Sequence, residues 1–377
     1  MKKALKISTV FALIAAILCL YCLRIPTEYT CYPGEQPAGS ALYTLEADAA
    51  AMGQSAGADY TAKVKLFGFL PIKDATVHRI TQKSLVVLGA PFGVKLYTKG
   101  VIVVDAEEGS AGVAAGIKVG DIILSYNGTE VRSNEALAEE VQKCDGKKQK
   151  AHVLRNERTQ TVWVTPQKTQ DGYSIGLWVR DSTAGLGTLT YYDPQTGMVA
   201  GLGHSISDVD TGLTMPVESG TLVAAEITGV RAGEEGDPGE LLGTLVDRKL
   251  GTVTSNNATG LFGIATADFD GVRYPVALKE EVQEGEAQIL CTVGGNAPKA
   301  YTIRITKINN NLSELKNLCL QVTDPELLAA TGGIVQGMSG SPILQNGKIV
   351  GAVTHVLISD PTAGYGIFIE KMLASAE

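Results

Sequence analysis

Glycine interrupts this chain at short intervals and limits the length of its apolar segments. The 377 residues contain 43 glycines without a low-complexity repeat. Apolar runs such as SLVVLGAPFGVKLY and KGVIVVDAEEG alternate with glycine and proline turns. Runs of this kind are typical of β-strands joined by tight turns. The sequence therefore predicts a mainly β protein.

The length and composition indicate a folded protein with two domains. Hydrophobic residues make up 45% and charged residues 19% of the chain, which are ordinary values for a protein with a core. A chain of 377 residues is long for a single domain. The net charge of −8, without a basic stripe beyond the N-terminus, argues against nucleic acid as a partner.

The N-terminal segment, residues 1–25, has the pattern of a signal-anchor. Lys2, Lys3 and Lys6 precede an uncharged stretch over Ile7–Leu23. As a helix these residues extend about 25 Å, near the short limit for a membrane span. Because no small-x-small cleavage site follows, we expect an uncleaved transmembrane anchor with a cytoplasmic N-terminus, and a cleaved signal peptide is the alternative. The rest of the chain is then exported.

Residues 26–79 are predicted to be a linker and N-terminal region, with strand-like runs only from Tyr60 onward. The cysteines show no metal-binding spacing outside the N-terminal segment, and no cofactor or metal is predicted. An exported location permits disulfides but does not specify their pairing. The six cysteines are Cys19, Cys22, Cys31, Cys144, Cys291 and Cys319.

The segment SAGVAAGIKVGDIILSYNGTEV carries the most distinctive local pattern in the first half of the chain. Ser110 is a helix cap and Gly116 ends that helix, while Asn127 and Gly128 form a hairpin turn between two strands. The order of elements and the sequence of this segment resemble a bacterial PDZ domain of the kind found in exported proteases. The resemblance covers residues 80–168, an α+β domain.

The PDZ resemblance implies that an extended peptide adds as a strand to a sheet edge, with its carboxylate held by backbone amides of a glycine-containing loop. In this chain the expected loop lies in GAPFGVKL and comprises Gly93, Val94, Lys95 and Leu96. The alternative is a tight turn without a ligand.

The second domain, residues 169–377, is predicted to be built from short strands and glycine turns. Many short strands in about 200 residues are typical of a barrel or a sandwich. The candidate strands are Ser174–Val179, Gly187–Tyr192, Thr221–Ile227, Val272–Ala277, Ala287–Val293, Tyr301–Ile308 and Gly347–Leu357.

The motifs present in this domain favour serine chemistry. The chain has no His-Glu-x-x-His and no Walker A sequence, so zincin-type proteolysis and ATP-driven work are excluded on motif grounds. A serine nucleophile needs an adjacent base and amides directed at the developing oxyanion. In GMSGSP, the glycines allow a sharp bend in which the N–H groups of Gly337 and Ser339 point to one place. A plain glycine-rich turn is the alternative.

This hexapeptide resembles the Gly-x-Ser-Gly-Gly/Ser-Pro loop of chymotrypsin-like proteases, and the resemblance names Ser339 over Ser341 as the nucleophile. In that family the histidine precedes the serine in the chain. His204, in the glycine-flanked turn GLGHSISDVDTG, is therefore favoured over His355, which follows the serine loop in a strand expected to line the cleft. His78 and His152 belong to the first half and are expected to be structural or exposed.

The residue that orients the histidine is left open by the spacing. Asp208 and Asp210 lie close to His204 in sequence but in a position typical of a turn. Asp268 and Asp324 are the other candidates.

The anchor, the PDZ segment, GLGHSISDVDTG and GGIVQGMSGSPILQNGKIVGAVTHVLISDPTAGYGIFIE together resemble the stage IV sporulation protein B peptidase family. The resemblance covers nearly the whole chain after the anchor. It implies a chymotrypsin-like double β-barrel, with Ser339 as nucleophile, His204 as base, Asp324 as the orienting acid, and Gly337 and Ser339 as the oxyanion hole.

The resemblance also implies a role in sporulation. Such a peptidase acts outside the cytoplasmic membrane, at the forespore inner membrane facing the intermembrane space. There it cleaves itself and a regulatory subunit of an intramembrane metalloprotease complex, which activates a late sigma factor. The alternative from another class is a catalytically silent exported PDZ adaptor.

Overall fold

The computed structural model describes residues 16–33, 35–37, 39–47, 59–266, 268–295, 297–311 and 313–376. The chain forms two compact units, Met1–Lys83 and Ser84–Glu377. Residues 16–24 are helical, and most of the predicted anchor lies outside the described residues. Within the part of the chain that is described, no helix has both the length and the apolar character needed to cross a bilayer.

The first unit contains a small four-stranded sheet. Its strands are β1 (Glu28–Cys31), β2 (Tyr43–Glu46), β3 (Tyr60–Leu66) and β4 (Leu70–Arg79), in the order β1-β4-β3-β2. Tyr29, Val64 and Val77 are fully buried between these elements. The strand-like runs expected from Tyr60 onward are β3 and β4. The part expected to be a linker, before Tyr60, instead contributes β1 and β2, whose Tyr29 and Leu45 belong to the same core.

The second unit is mainly β. Its strands within the described residues are β5 (Ser84–Val87), β6 (Pro91–Ala106), β7 (Ile122–Tyr126), β8 (Thr129–Glu130), β9 (Gln149–Arg155), β10 (Arg158–Val164), β11 (Gln167–Thr169), β12 (Gly172–Ser174), β13 (Leu177–Asp193), β14 (Met198–Gly201), β15 (Val217–Arg231), β16 (Glu240–Asn257), β17 (Gly260–Ala265), β18 (Arg273–Pro275), β19 (Gly285–Cys291), β20 (Lys299–Ile308), β21 (Leu318–Val322), β22 (Pro342–Gln345), β23 (Lys348–Leu357) and β24 (Asp360–Phe368). Its helices are α1 (Ala111–Ala114), α2 (Asn134–Lys143), α3 (Pro325–Thr331), α4 (Ile369–Ala374) and a short 3-10 helix, Lys279–Glu281.

Two closed rings of strands form the bulk of this unit. The first runs β6-β15-β16-β17-β14-β13 and closes because β13 pairs with β6. The second is a closed barrel in the order β19-β20-β21-β24-β23-β22. Each ring has six strands and its own buried apolar core. This topology confirms the predicted chymotrypsin-like double β-barrel.

The PDZ domain is inserted in the chain between two strands of the first barrel, β6 and β13. Its core includes Val101 and Val103 from the second half of β6, residues of helices α1 and α2 and of strands β7, β9 and β10, and Ile175. The hydroxyl of Ser110 caps α1 by accepting from the Val113 N–H, as predicted. The chain enters the domain along β6 and leaves it along β13, and both strands continue into the barrel without a break.

The structure draws the domain boundary differently from the prediction of 80–168 and 169–377. Phe92 and Leu96, inside the predicted PDZ range, are buried in the core of the first barrel. Leu177 and Val179, beyond that range, pack against the PDZ core. The PDZ domain is therefore an insertion within the first barrel, because β6 and β13 each contribute to both cores. In the second half of β6 the two faces divide this role: Val101 and Val103 face the PDZ core, whereas Ile102 packs in the barrel core.

The predicted carboxylate-binding loop is also corrected by this arrangement. Gly93, Val94, Lys95 and Leu96 lie in the middle of β6, where they pair with β13 on one side and with β15 on the other. A strand with two neighbours has its backbone groups committed to the sheet and cannot accept an added peptide. These four residues are a barrel strand and not a peptide-binding loop.

Candidate active site

The loop that contains Ser339 connects α3 to β22 and is held in place by strand β13. The hydroxyl of Thr188 donates to the Gly337 carbonyl at 2.8 Å, and that of Thr190 donates to the Gly340 carbonyl at 2.7 Å. The Thr188 N–H donates to the Ser339 carbonyl at 2.9 Å. The first barrel thus fixes the carbonyl groups of a loop that belongs to the second barrel.

This arrangement leaves two backbone N–H groups without an acceptor. Gly340 donates to the Val353 carbonyl and Ser341 to the Met338 carbonyl. Among the described residues, by contrast, the N–H groups of Gly337 and Ser339 have no hydrogen-bond acceptor. Unpaired amides beside a serine are what an oxyanion hole requires. The N–H groups of Gly337 and Ser339 are therefore available to a ligand, and their role as an oxyanion hole stays a prediction.

Glycine is needed in this loop for two different reasons. Gly337 has a φ of 94°, in the left-handed region that other residues rarely adopt. A Cβ on Gly340 would lie 1.9 Å from the Thr188 carbonyl oxygen and 2.4 Å from the Leu202 nitrogen, so no side chain fits there. Ser341 is fully buried and donates to the Met338 carbonyl at 2.6 Å, which makes it part of the loop's support.

The turn that carries His204 has an unusual backbone. Leu202 and Gly203 follow β14 with φ values of 69° and 68°. A left-handed conformation at leucine costs about 1–3 kcal/mol and is found mostly at functional sites. Gly203 packs against β23, since a Cβ there would lie 3.0 Å from the Thr354 methyl group. The strained turn thus brings His204 onto the strand that follows the serine loop.

His204 is oriented by a backbone carbonyl and by a second histidine. Its Nδ1 donates to the Ser205 carbonyl oxygen at 2.8 Å, which leaves Nε2 as the basic nitrogen. The ring of His355 lies 4.8 Å from that of His204, centroid to centroid, with the planes tilted by 37°. His355, expected to be a wall of the pocket, is therefore a direct neighbour of the predicted base.

The surroundings of both imidazoles disfavour the protonated form and lower the pKa. Burial lowers the pKa of His204 below its usual value, although the hydrogen bond to the Ser205 carbonyl acts in the opposite direction. Burial, then the charges of His204 and Lys316, lower the pKa of His355 to about 4. A neutral imidazole is the form that accepts a proton from a serine.

His204, His355, Gly337 and Ser339 all line one cleft of about 460 Å³. None of its lining residues is Lys, Arg, Asp or Glu, and much of the wall is aliphatic, as at Ile334, Val335, Leu186, Val356 and Ile358. A charged side chain placed here would lack a counterion, and burying an unpaired charge is costly. The cleft therefore suits uncharged, apolar side chains.

The Ser339 hydroxyl does not face His204 in this structure. It donates to the Thr354 carbonyl oxygen at 2.6 Å. Thr354 lies on β23, one residue before His355. A rotation of the Ser339 side chain breaks this hydrogen bond and frees the hydroxyl for a base. The nucleophile and the histidine thus share the cleft, but their own hydrogen bond is not formed.

The structure does not bring Asp324 to His204. Asp324 is the N-cap of α3, and its carboxylate accepts from the N–H groups of Thr302, Glu326 and Leu327 at 3.0–3.1 Å. Burial raises its pKa, but these hydrogen bonds outweigh burial and lower it overall. A carboxylate used in this way supports the helix and has no contact with an imidazole.

The other candidates for the acid are engaged elsewhere too. Asp208 and Asp210 accept from Arg180, and Asp268 accepts from the Tyr192 hydroxyl. Within the described residues, no carboxylate forms a hydrogen bond with His204.

The two remaining histidines are not among the residues that line the cleft. His78 pairs with Asp59 at 3.0 Å in the first unit, and His152 lies on β9 beside Thr161. Neither lines the cleft that contains Ser339, in agreement with the expectation for both. The described residues also contain no cluster of three or more His, Cys, Asp or Glu side chains that could hold a metal.

The open edge of the PDZ domain lies in a segment that sequence reasoning did not select. Leu177–Arg180, at the start of β13, pair with β6 on one side, and no described strand pairs with the other side. The N–H of Asn134, at the start of α2, donates to the Asp181 carboxylate at 3.0 Å, so the helix begins beside this strand. The sequence signal was YSIGLWV, a glycine between apolar residues before a strand.

A double barrel with a serine loop, a partly buried histidine in the same cleft and an inserted PDZ domain defines a PDZ-containing serine peptidase. Comparison with family models agrees with this class. The model for SpoIVB peptidase S55 matches residues 171–373, and a PDZ domain model matches residues 86–165. The chain belongs to the SpoIVB peptidase S55 family.

Among individual proteins, similarity is partial. The chain is 29% identical over 103 residues to the "Putative zinc metalloprotease LL2128" of Lactococcus lactis, a match that covers 27% of this chain and 23% of that protein. The Rv3671c protease of M. tuberculosis, in its active form, is 16% identical and covers 51% of this chain and 72% of its own, with a TM-score of 0.32. The PDZ domain of the SdrC-like protein from Listeria monocytogenes is 15% identical and covers 22% of this chain and 87% of its own, with a TM-score of 0.20.

Proposed function

We propose that the protein is a serine endopeptidase in which His204 takes the proton of Ser339. Ser339 then attacks a peptide carbonyl, and the N–H groups of Gly337 and Ser339 bind the oxyanion of the tetrahedral intermediate. His204 returns its proton to the leaving amine as the C–N bond breaks, and water, deprotonated by His204, hydrolyses the acyl-enzyme and releases Ser339. The Ser205 carbonyl holds the His204 Nδ1–H and so keeps Nε2 free for the proton. Asp324 supports α3 in this mechanism and does not take part in it.

One observation carries the proposal above the others. The only two N–H groups of the described Gly337–Ser341 loop that lack an acceptor are those of Gly337 and Ser339, while its carbonyl groups are fixed by Thr188 and Thr190. A loop that served only as a turn has no reason to leave these amides open at the wall of a cleft that also contains a histidine.

Labelling with a fluorophosphonate probe tests the nucleophile. We expect the wild type to be labelled and Ser339→Ala to remain unlabelled with an unchanged fold. Ser341→Ala is the matched control: it removes a buried hydroxyl two residues away, costs about 1 kcal/mol of stability, and keeps the label. A wild type that binds peptides without labelling would instead be the silent PDZ adaptor.

We further propose a sporulation signalling role for this peptidase. It acts on the outer face of the cytoplasmic membrane, at the forespore inner membrane, and cleaves itself and a regulatory membrane protein that restrains an intramembrane metalloprotease. Family membership supports this role, and the apolar cleft fits substrate segments without charge. Incubating that regulatory protein with wild type and with Ser339→Ala is the test, and equal cleavage in both samples would rule the role out.

The PDZ domain is proposed to bind an extended peptide along the open edge of β13, Leu177–Arg180. Backbone groups on that edge are unpaired by any described strand, and strand addition satisfies them. Trp178 lies in this edge with 55% of its side chain exposed. In a Trp163→Phe protein, a peptide with the C-terminal sequence of the regulatory protein should change Trp178 fluorescence, and an unchanged spectrum at saturating peptide contradicts the location.

A further inference from the structure

An ion pair connects the open PDZ edge to the loop that follows His204. Arg180 is the last residue of that edge, on β13, and its guanidinium forks across two carboxylates. One arm binds Asp208 and the other binds Asp210 at 2.7 Å. The Asp208 side chain is completely buried, whereas that of Asp210 is half exposed.

Asp208 organises the loop in which it lies. One of its carboxylate oxygens accepts from the Thr211 N–H at 2.9 Å, the Thr211 hydroxyl at 3.0 Å and the Asp210 N–H at 3.2 Å. The other oxygen accepts from Arg180. The carboxylate is thus the centre of the turn, and its negative charge is compensated by Arg180 from outside the loop.

The same loop leads directly back to His204. Ile206 exchanges two hydrogen bonds with the Asn256 side chain, at 2.7 and 2.9 Å. Ser205, between Ile206 and His204, provides the carbonyl that holds Nδ1. Asp208 is three residues from Ser205, so its turn and the Asn256 contacts at Ile206 together determine the position of the carbonyl that orients the imidazole.

We propose that Arg180 is a positioning residue of the active site, because its pairing with Asp208 fixes the loop that orients His204. The inference rests on the proposed function, in which His204 is the base. Arg180 touches no reacting atom and acts through Asp208 and the Ser205 carbonyl. Its place on the PDZ edge makes the PDZ domain part of the support of the catalytic site.

Arg132 supplies a matched control. It also joins the PDZ domain to the first barrel, through an ion pair with Glu218 at 3.1 Å on β15. This pair does not involve the loop that follows His204. Arg132→Gln therefore removes a charge and an ion pair between the same two parts of the unit, although a more exposed one, without disturbing the His204 support.

The experiment measures fluorophosphonate acylation of Ser339 in the purified full chain over a range of probe concentrations. Arg180→Gln is expected to lower the maximal acylation rate between about tenfold and a hundredfold, as for small misplacements of a catalytic group, with half-saturation changed less than about twofold. Arg180→Lys keeps a charge for Asp208 but loses the fork, so its rate should be intermediate. Arg132→Gln should match the wild type.

Folding is checked by near-ultraviolet circular dichroism, since Arg180→Gln leaves a buried carboxylate without its partner. If that variant does not fold, Arg180→Lys decides alone: a folded Arg180→Lys protein with the wild-type maximal rate overturns the proposal. An effect of the same size in Arg132→Gln overturns it as well. If the wild type shows no serine-dependent labelling, the proposed peptidase function is wrong. If the wild type is labelled and the Arg180 variants react at the same rate, only the inference about Arg180 is wrong.

Discussion

At the scale of single residues, Gly340 shows how closely the two barrels meet at the serine loop. A methyl group at this position would overlap backbone atoms of Thr188 and Leu202, which lie on the strand that holds the loop and on the turn before His204. Neither backbone can move without disturbing the other, because the Leu202 N–H itself donates to the Thr188 carbonyl at 3.3 Å.

We therefore predict that Gly340→Ala abolishes labelling of Ser339 and lowers the unfolding temperature by several degrees. The control is Gly347→Ala, at the β22–β23 turn, where φ is 75° and no atom lies within 4 Å of the added Cβ. That change carries only the backbone strain, of about 1–3 kcal/mol, and should keep the label. Equal loss of labelling in both variants would show that strain, and not the clash, is responsible.

The pH dependence of activity should reflect the burial of His204. Because burial lowers the pKa of this imidazole, the acid limb of the kcat/KM profile should have its midpoint below the ordinary histidine value of 6.5. The measurement is peptide hydrolysis from pH 4 upward, with activity retested at pH 7 to exclude acid unfolding. A midpoint at or above 6.5 contradicts the assignment of a buried His204 as the base.

The residues of the site were predictable to different degrees from the sequence. Ser339, Gly337 and His204 could be chosen because glycine spacing and chain order leave few alternatives. The family resemblance assigns Asp324 as the orienting acid. The local sequence TDPEL, however, has an acidic residue followed by proline, which is the usual start of a helix and predicts a capping role. The closeness of His355 to His204 depends on the register of β23 and β24, which local sequence does not determine.

At the scale of elements, helix α4 places a carboxyl group in an apolar corner. Glu370, in its first turn, accepts from the Lys279 N–H and lies near Glu280 and Glu281 of the 3-10 helix. Burial raises the pKa of Glu370 to about 7; the Lys279 N–H opposes this shift and the charge of Glu280 adds to it.

This shift predicts a pH-dependent stability. The pKa of Glu370 is about 7 in the folded state, against an ordinary value of 4.5. The protonated carboxyl therefore stabilises the folded state fully below pH 4.5, and this stabilisation is lost as pH rises through 7. Glu370→Gln keeps an acceptor for the Lys279 N–H and should flatten the unfolding free energy between these two pH values. Exposed Glu326→Gln is the control for removing one carboxylate. A Glu370→Gln protein with the wild-type slope would refute the assignment.

The strands were predicted in kind but not in extent. Ser174–Val179 and Gly187–Tyr192 are predicted as two strands, whereas β13 is a single strand over Leu177–Asp193. The glycines at 185 and 187 suggest a break, but Gly187 makes room for a neighbour: a Cβ there would lie 2.2 Å from a Leu202 methyl group. Sequence alone cannot distinguish a glycine that bends the chain from one that admits a neighbour.

At the scale of the whole molecule, the shared strands couple the PDZ domain to the first barrel. Both tryptophans, Trp163 and Trp178, belong to strands of the PDZ region, so tryptophan fluorescence reports on that region. We predict that the fluorescence transition on heating coincides with the loss of Ser339 labelling, because neither core can lose β6 or β13 alone. Midpoints several degrees apart would mean that the PDZ domain unfolds independently.

The insertion of the PDZ domain has a consequence for how this protein can be shortened. Cutting the chain after residue 168 removes β6, and with it the strand that closes the first barrel between β13 and β15. A peptidase lacking its PDZ domain must therefore retain residues from Ser84 through the first half of β6 and rejoin them to β13. Thr98 and Asp181, joined by a hydrogen bond of 3.0 Å, mark the point where the two strands can be connected. A junction there also removes Ile102 from the barrel core and Arg180 from its pair with Asp208, so the shortened protein loses support that the inserted domain provides.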